Sequence, residues 1–184
     1  MNVYLVSSFI NESILAHMKN IAVVITRMIE GGAANIVRQI IKGGHGGFKF
    51  TLYTGTEGLP EDGLKDIEND ADIIKIPYMR RQVSPYNDVH SFLFLSREFR
   101  RKKFDVVHTH TSKAGVIGRL AAGYSGVKRI IHSTHGTIYS QDGIISGIPD
   151  FSFYKKILLA TERFAGRKAD FLTDLSRNEY DISV

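Results

Sequence analysis

The chain has 184 residues, 43% hydrophobic and 23% charged, which suits one globular domain and is too short for two full α/β domains. It has no cysteine, which excludes disulfides and thiolate metal sites and fits a reducing cytoplasm. No apolar run approaches the roughly 20 residues needed to cross a bilayer, and the net charge of +5 favours an anionic partner without identifying it.

The first residues have the character of an extension ahead of the fold. Met1–Met18 lacks the basic flank and continuous apolar centre of a signal peptide. Met18 is followed almost at once by a strand pattern, as a second start would be. We therefore expect an N-terminal extension over residues 1–18 and a folded domain over residues 19–184.

Apolar runs of strand length alternate with helical patterns along the rest of the chain, which predicts a parallel sheet covered on both faces. The predicted strands are Ile21–Thr26, Lys49–Thr54, Asp72–Ile76, Asp105–Thr109, Arg129–Thr134 and Asp170–Asp174. The predicted helices are Ala33–Lys42, Asp62–Asn69, Tyr86–Lys103, Ser112–Tyr124 and Phe151–Arg167, with another beginning at Ser176. This order predicts a Rossmann-like α/β domain with a doubly wound parallel sheet of about six strands. Right-handed crossovers would place every strand-to-helix loop along one edge of that sheet, where we expect the chemistry.

The loop after the first predicted strand contains the pair Gly31–Gly32. Paired glycines let a backbone approach a ligand, and the N-terminus of the following helix favours a phosphate. A tight turn without a ligand would need the same residues. Dinucleotide binding is not favoured, because its fingerprint spaces the glycines differently and requires an acidic residue near Tyr53, where there is none.

Two features precede the fourth predicted strand. Arg80 and Arg81 lie in a loop on the strand-end side, which favours phosphate contact. The helical segment Ser91–Lys103 combines aromatic and basic residues. We expect its apolar half to lie in the core and its basic end to complement the negative end of the helix dipole. The alternative interpretation is peripheral contact with a membrane surface.

The loop after the fourth predicted strand is densest in reactive groups. His108 and His110 project to the same face of an extended segment. Thr111 or Ser112 can cap the next helix, and Lys113 adds a cation beside its positive end. Such a loop suits an anionic or hydroxyl-rich ligand, although a core histidine and a plain cap would explain the same residues.

A similar arrangement ends the fifth predicted strand. His135 lies where the strand becomes a loop, whereas His132 lies inside the strand and is expected to be a hydrogen-bonded core histidine. Gly115 and Gly118 would let the preceding helix pack closely on the sheet.

Metal and hydrolytic chemistry are poorly supported. Histidines could bind zinc, but no carboxylate lies close in sequence to complete a site, so no metal is expected. A nucleophilic hydrolase is not favoured, because the chain has neither a G-x-S-x-G elbow nor a cysteine. Nucleic acid is not an expected partner, since the basic residues are scattered and no recognition module is present.

Four stretches resemble the N-terminal domain of GT-B glycosyltransferases, in the family 4 group of retaining enzymes, and within it bacterial exopolysaccharide and lipopolysaccharide transferases. They are Ile25–Ala33, Arg80–Pro85, Asp105–Gly115 and His132–Gly136, with further likeness at Gly118–Ala122 and Gly126–Val127. The resemblance covers Lys19 to about Asp181.

The resemblance implies a nucleotide-sugar donor and a lipid-linked or saccharide acceptor at the cytoplasmic face of the membrane. Anomeric configuration would be retained by front-face attack, without a protein nucleophile, metal or cofactor. By analogy His135 would contact the donor sugar and act as the catalytic residue, and Gly31 and Gly32 would lie near the donor diphosphate. The acceptor side would comprise His110, Ser112, Lys113, Arg80 and Arg81.

The resemblance also has two departures. Ala34 stands where relatives usually carry Glu or Gln, and the family's nucleotide-binding domain would follow residue 184. We therefore expect the acceptor-binding half of a retaining glycosyltransferase, inactive without the C-terminal domain. The alternatives are a nucleotide-sugar 2-epimerase-like GT-B domain and a non-catalytic acceptor-binding subunit of a split transferase. The epimerase would need a carboxylate and histidine set for proton abstraction, which the matched loops do not display.

Overall fold

The computed structural model describes residues 20–44, 47–135 and 160–173. All strands in these ranges are parallel and form one sheet in the order β3-β2-β1-β4-β5-β6. The strands are β1 (Asn20–Arg27), β2 (Lys49–Gly55), β3 (Ala71–Ile76), β4 (Val106–His110), β5 (Arg129–Ser133) and β6 (Phe171–Thr173). The helices with described bounds are α1 (Gly32–Gly43), α2 (Pro85–Lys102) and α3 (Ser112–Tyr124), and residues 160–166 are also helical. The predicted Rossmann-like α/β fold is confirmed.

The central strand β1 is buried on both faces, as its unbroken apolar sequence predicts. Ala22 and Val24 face the core beneath α2 and α3, whereas Val23 and Ile25 face the core beneath α1. All four side chains have no exposed surface. The helices therefore cover both sides of the sheet, which is the doubly wound arrangement.

The strand order reverses direction between β1 and β4. From β1 the chain adds β2 and β3 on one side, then returns to place β4, β5 and β6 on the other. Ile25 pairs with His110, and His110 pairs with Ser133. The carboxyl ends of β1, β4 and β5 therefore finish side by side, which aligns the loops that follow them.

One predicted helix is wrong. Residues 61–70, which include the predicted helix Asp62–Asn69, form consecutive turns. Their hydrogen bonds span three residues, for example from the amide of Lys65 to the carbonyl of Asp62. Leu64 and Ile67, three residues apart, pack into the core beneath α1. Apolar side chains three residues apart can be buried by successive tight turns as well as by a helix.

Several predictions fall wholly or partly outside the described residues. These are the extension over residues 1–18, the loop from 135 to 149, most of the predicted helix Phe151–Arg167, and the helix beginning at Ser176. Residues 160–166 are helical, which agrees with the end of the predicted helix Phe151–Arg167. Within residues 20–44, 47–135 and 160–173, no helix is long and apolar enough to cross a membrane.

Candidate functional site

The point where the strand order reverses is the natural place for a ligand in this fold. α1 follows β1 on one face of the sheet, and α3 follows β4 on the other. The loops that begin these helices therefore diverge and leave a crevice at the carboxyl edge of the sheet. Gly31–Gly32 lies on one side of this crevice, and Thr111–Lys113 lies on the other.

The two sides of the crevice are joined by a pair of hydroxyls. Oγ1 of Thr26 at the end of β1 lies 2.8 Å from Oγ1 of Thr111 after β4. The amide of Ala114 donates to Thr26 Oγ1 at 3.2 Å. Ala114 is the third residue of α3, so the capping bond that the sequence assigns to Thr111 or Ser112 comes from Thr26. Thr111 holds the N-cap position but makes no side-chain cap bond itself.

Thr111 has an unusual backbone. Its φ is 64° and its ψ is 154°, a left-handed conformation that a β-branched residue rarely adopts. Such strain costs on the order of 1–3 kcal/mol and persists where the surroundings impose it, often at ligand sites. Here the Thr26 contact and the first hydrogen bond of α3, from the amide of Gly115 to the carbonyl of Thr111 at 2.7 Å, hold the turn in place.

Gly31 and Gly32 present bare backbone to the crevice. Gly31 has a φ of 149°, which an L side chain rarely adopts. Among the described residues, apart from the chain neighbours of each glycine and the backbone of α1, no atom lies within 4 Å of where a Cβ would stand at either glycine. The first turn of α1 has no acidic residue and no side-chain cap bond. A phosphate could therefore approach its amides without displacing a described side chain.

Lys113 forms an ion pair and a hydrogen bond within the domain. Its ammonium lies 2.6 Å from Oδ1 of Asp88 and also donates to the carbonyl of Gln82. Oδ2 of Asp88 accepts from the amide of Ser84, the N-cap of α2, at 3.2 Å. Lys113 thus links the start of α3 to the start of α2, and an anionic ligand would share it with Asp88. Ser112 is half-buried at the first position of α3.

Arg80 and Arg81 are exposed in the loop after β3. Arg80 lines a cavity of about 280 Å³ together with Thr56, Glu57 and Gln82. Oε2 of Glu57 accepts from the amide of Arg81 at 2.8 Å. The sequence did not single out Glu57, because its contact with residue 81 depends on the neighbouring ends of β2 and β3.

The predicted histidines form a buried cluster on β4 and β5. The rings of His108 and His110 lie on one face, with centroids 4.1 Å apart, as their alternation in the strand predicts. Nδ1 of His110 is 2.8 Å from Nε2 of His135, and Nε2 of His108 is 2.8 Å from Oγ of Ser133. His110 has no exposed surface, and among the described residues its hydrogen bond to His135 connects it to the edge of the sheet.

Burial keeps these imidazoles neutral. It lowers the pKa of His108 to about 3, with the nearby His135 adding to the effect. The pKa of His110 is also well below its ordinary value, first because of burial and then because of the neighbouring histidines.

His132 is the core histidine that the sequence predicts. Its Nδ1 contacts Oγ1 of Thr109 at 2.9 Å and the carbonyl of Thr109 at 3.1 Å. A Cβ added at Gly115 would stand 2.3 Å from Cε1 of His132, and one at Gly118 would stand 2.7 Å from Cγ2 of Thr109. Both glycines are therefore needed for α3 to pack on the sheet, as predicted. Burial, then the Arg119 charge, holds the pKa of His132 well below its usual range.

The sequence did not identify the buried ion pair behind this cluster. Arg119 is 1% exposed, and its Nε donates to the carbonyl of Gly115 at 2.8 Å. Its Nη2 pairs with Oε1 of Glu162, which lies 3.9 Å from Nε2 of His132. The available signal was an arginine within the small, apolar run Gly118–Ala122.

No metal centre accompanies these groups in the described part of the chain. Among those residues, no three His, Cys, Asp or Glu side chains are arranged to hold a metal ion.

Comparison with known proteins agrees with this architecture. A family model described as Glycosyltransferase Family 4 matches residues 30–182. Over 61 residues the chain is 39% identical to the UDP-Gal:alpha-D-GlcNAc-diphosphoundecaprenol alpha-1,3-galactosyltransferase of Escherichia coli, covering 33% of this chain and 16% of that protein.

Two solved structures share the fold. MurG of Acinetobacter baumannii has a TM-score of 0.58 at 14% identity, over 87% of this chain and 42% of its own. The UDP-GlcNAc 2-epimerase of Neisseria meningitidis bound to UDP-GlcNAc has a TM-score of 0.60 at 17% identity, over 90% of this chain and 43% of its own. The chain thus spans less than half the length of each of these proteins. Because the family model matches most of a chain that folds as this parallel sheet, the chain belongs to glycosyltransferase family 4, as an N-terminal GT-B domain.

Proposed function

We propose that this domain is the acceptor-binding half of a retaining glycosyltransferase, which moves a sugar from a nucleotide-sugar to a lipid-linked or saccharide acceptor. The observation that carries the proposal is the meeting of three loops at the carboxyl edge of the sheet. They are the Gly31–Gly32 loop, the Thr111–Lys113 loop and the residues Thr134–His135 that follow β5. Membership of family 4 supplies the reaction class.

The donor would approach from the side of Gly31 and Gly32. The open backbone there and the uncapped first turn of α1 suit the negative charge of a diphosphate. His135 would contact the donor sugar beside the reacting carbon. The nucleotide itself would be bound mainly by a second domain, so the 184-residue chain alone would not catalyse transfer.

The acceptor would lie against Ser112, Lys113 and the loop of Arg80 and Arg81. An acceptor with a diphosphate group would find Arg80 at the cavity and Lys113 at the start of α3, where it would share the ammonium with Asp88. The Escherichia coli relative is named for an acceptor of this type, a GlcNAc-diphosphoundecaprenol. His110 would support this region from within the core, since it is fully buried.

The reaction would proceed on one face of the donor sugar. The acceptor hydroxyl oxygen bonds to the anomeric carbon as the bond from that carbon to the diphosphate breaks, and the hydroxyl proton passes to the departing phosphate oxygen. No protein nucleophile is required. The domain would contribute by positioning the acceptor and stabilising the charge that develops on the diphosphate.

The test is sugar transfer by a two-domain protein in which this chain continues into a nucleotide-sugar-binding domain. His135→Ala should lower turnover by about 100-fold, the scale observed when one preorganised hydrogen-bond donor is removed from an active site. Arg129→Ala removes an exposed side chain at the start of β5, at the edge of the sheet opposite the crevice, and should leave turnover unchanged. Unchanged turnover in His135→Ala would remove this residue from the catalytic site.

A membrane-linked acceptor also suggests where the domain would work. The exposed side of α2 carries Tyr86, Val89 and Leu93, which are 66%, 53% and 56% exposed. Further along, Arg100 lies 4.2 Å above the ring of Tyr124. Aromatic, apolar and basic groups together suit the surface of an anionic bilayer. We propose a cytoplasmic protein in peripheral contact with the inner face of the membrane.

A nucleotide-sugar 2-epimerase is the second candidate, because an epimerase shares the fold with a TM-score of 0.60. Epimerisation at that carbon requires a base to remove a proton. Of the described contacts of His108, His110 and His132, one is with a carboxylate, that of Glu162. Arg119 already pairs with Glu162, and His132 is only 1% exposed, so this pair is poorly suited to be the base. Deuterium incorporation at C2 of UDP-GlcNAc in heavy water would favour the epimerase, and its absence would oppose it.

The third candidate is a non-catalytic subunit that binds the acceptor and recruits a separate catalytic chain. It differs from the leading proposal in one observable. A non-catalytic subunit would bind acceptor, and His135→Ala would lower neither the transfer by the recruited chain nor acceptor binding.

A further inference from the structure

The exposed loop that carries Arg80 and Arg81 is held by side chains from outside it. Oε2 of Glu57, in the loop after β2, accepts a hydrogen bond from the backbone amide of Arg81 at 2.8 Å. On the other side, the ammonium of Lys113 donates to the carbonyl of Gln82. Two peptide groups of this loop are therefore bound by oppositely charged side chains from two other parts of the chain.

The residues just before this loop are fixed by close backbone packing. Gly55 ends β2, and a Cβ placed on it would overlap the carbonyl oxygen of Met79 and stand 2.5 Å from that of Thr26. The side chain of Met79 has no exposed surface. The chain thus leaves the core immediately before Arg80. Beyond that point, the position of Arg80 and Arg81 depends on contacts made outside the core.

The contact with Glu57 is of the strong kind. A carboxylate that accepts from an amide makes a charge-assisted hydrogen bond, which is about twice as strong as a neutral one. Nη1 of Arg27 lies 3.9 Å from Oε1 of the same carboxylate. Because Arg27 ends the central strand β1, this ion pair ties Glu57, and through it the amide of Arg81, back to the middle of the sheet.

The charge of Glu57 has the opposite effect on an anionic ligand. Glu57 and Arg80 line the same cavity, so the carboxylate lies close to where a diphosphate would meet the guanidinium. A nearby like charge weakens the binding of an anion. The charge and the hydrogen bond can be separated, because a glutamine side chain keeps an oxygen that accepts from the amide and removes the charge.

We propose that Glu57 is a positioning residue, whose hydrogen bond to the amide of Arg81 orders the loop and keeps the guanidinium of Arg80 at the cavity. A loop that is ordered before the ligand arrives spares the ligand the entropy cost of ordering it. That cost corresponds to about tenfold in affinity for each backbone residue fixed. The identification of the ligand as the acceptor diphosphate rests on the proposed function.

The primary experiment measures the order of the loop in the 184-residue chain without ligand, by ¹⁵N relaxation and amide hydrogen exchange. In wild type and in Glu57→Gln, we expect order parameters above about 0.6 for Arg80–Gln82 and a protected Arg81 amide. In Glu57→Ala, the order parameters should fall below about 0.6 and the protection should be lost. Equal order and equal protection in Glu57→Ala and wild type would overturn the proposal.

The control for these variants is Glu68, which is exposed and lies just before β3, at the opposite edge of the sheet. Glu68→Ala and Glu68→Gln remove the same charge at a distance from the loop. Neither should change the order of the loop or the exchange of the Arg81 amide. A loop that loosens as much in Glu68→Ala as in Glu57→Ala would show that the effect is not due to the hydrogen bond.

The second experiment is a titration with inorganic diphosphate, followed at the amide and side-chain Nε signals of Arg80. Glu57→Gln should bind up to about fivefold more tightly than wild type, because an exposed like charge is removed. Glu57→Ala should bind about 3–10-fold more weakly, because the cost of ordering the loop exceeds the gain from the lost charge. An equal rise in affinity in both variants would mean that Glu57 acts through its charge alone, and would overturn the proposal.

These results separate the positioning role from the proposed function. If the loop responds as expected but diphosphate shifts no signal of Arg80 or Lys113 in wild type, the acceptor assignment fails and the ordering of the loop by Glu57 stands. If wild type binds diphosphate at Arg80 and Glu57→Ala binds it equally well, only the positioning role fails. In the two-domain transfer assay, Glu57→Ala should raise KM for the acceptor and leave kcat nearly unchanged, whereas a loss of kcat alone would contradict positioning of the acceptor.

Discussion

Three buried, neutral histidines should make the stability of this domain depend steeply on pH. An unfolded histidine binds a proton with a pKa of about 6.5. Burial lowers the pKa of His108 to about 3 and holds those of His110 and His132 well below the ordinary value. The contribution of the neutral rings is therefore complete above pH 6.5 and is lost as the pH falls toward the folded-state values.

The magnitude follows from proton linkage. Between those limits each histidine binds one more proton in the unfolded state, so the free energy of unfolding falls by about 1.4 kcal/mol per pH unit. From pH 7 to pH 5 this amounts to about 2 kcal/mol for His108, whose pKa is lowered to about 3, and His110 and His132 change the stability in the same direction. A domain of this size has a total stability of about 5–15 kcal/mol. We therefore expect it to be clearly less stable at pH 5 than at pH 7.

Urea unfolding followed by circular dichroism at several pH values measures this effect, since the chain has no tryptophan to report by fluorescence. His108→Gln keeps a donor for Ser133 and should reduce the slope by about 1.4 kcal/mol per pH unit. Val107→Ala removes a buried methyl pair from the same strand and should lower stability equally at every pH. A wild-type unfolding midpoint that stays constant between pH 7 and pH 5 would refute the neutral, buried state of these rings.

The remaining predictions concern packing, the buried ion pair and the membrane surface. Gly115→Ala should destabilise the domain by about 1–3 kcal/mol in thermal unfolding, because the new methyl would meet a buried imidazole. Gly43→Ala places its methyl in open space and should not destabilise the domain in this way. Equal losses of stability in the two variants would contradict the packing argument. Arg119→Met should cost about 3–5 kcal/mol by leaving Glu162 without its partner, and adding Glu162→Gln should restore part of it. A double variant as unstable as the single would show that the ion pair is not the cause. Leu93→Glu should weaken co-flotation with phosphatidylglycerol vesicles, and wild-type protein that does not float would remove the membrane proposal.

The sequence predicted the architecture because its main signals are local. Four consecutive apolar residues, Ala22–Ile25, predict a strand that is covered on both faces, and such strands belong to parallel sheets with alternating helices. The exception is Asp62–Asn69, where helical spacing and consecutive turns place the same apolar residues in the core. A pattern of buried positions does not separate these two solutions when the segment is short.

The candidate site was predicted less completely, because its decisive contacts join residues distant in sequence. The alternation of His108 and His110 correctly predicts one shared face. It does not reveal that His135 closes that face, 25 residues further along. Lys113 looks like a free cation beside a helix start until Asp88 is brought to it from another helix.

The most direct test of the central claim is a binding measurement on the 184-residue chain itself. We predict that a soluble, short-chain GlcNAc-diphosphopolyprenol shifts the backbone amide NMR signals of Thr111–Lys113 and Arg80, whereas UDP at the same concentration binds weakly or not at all. Tight binding of UDP, with no response to the acceptor analogue, would contradict the assignment of this domain as the acceptor-binding half.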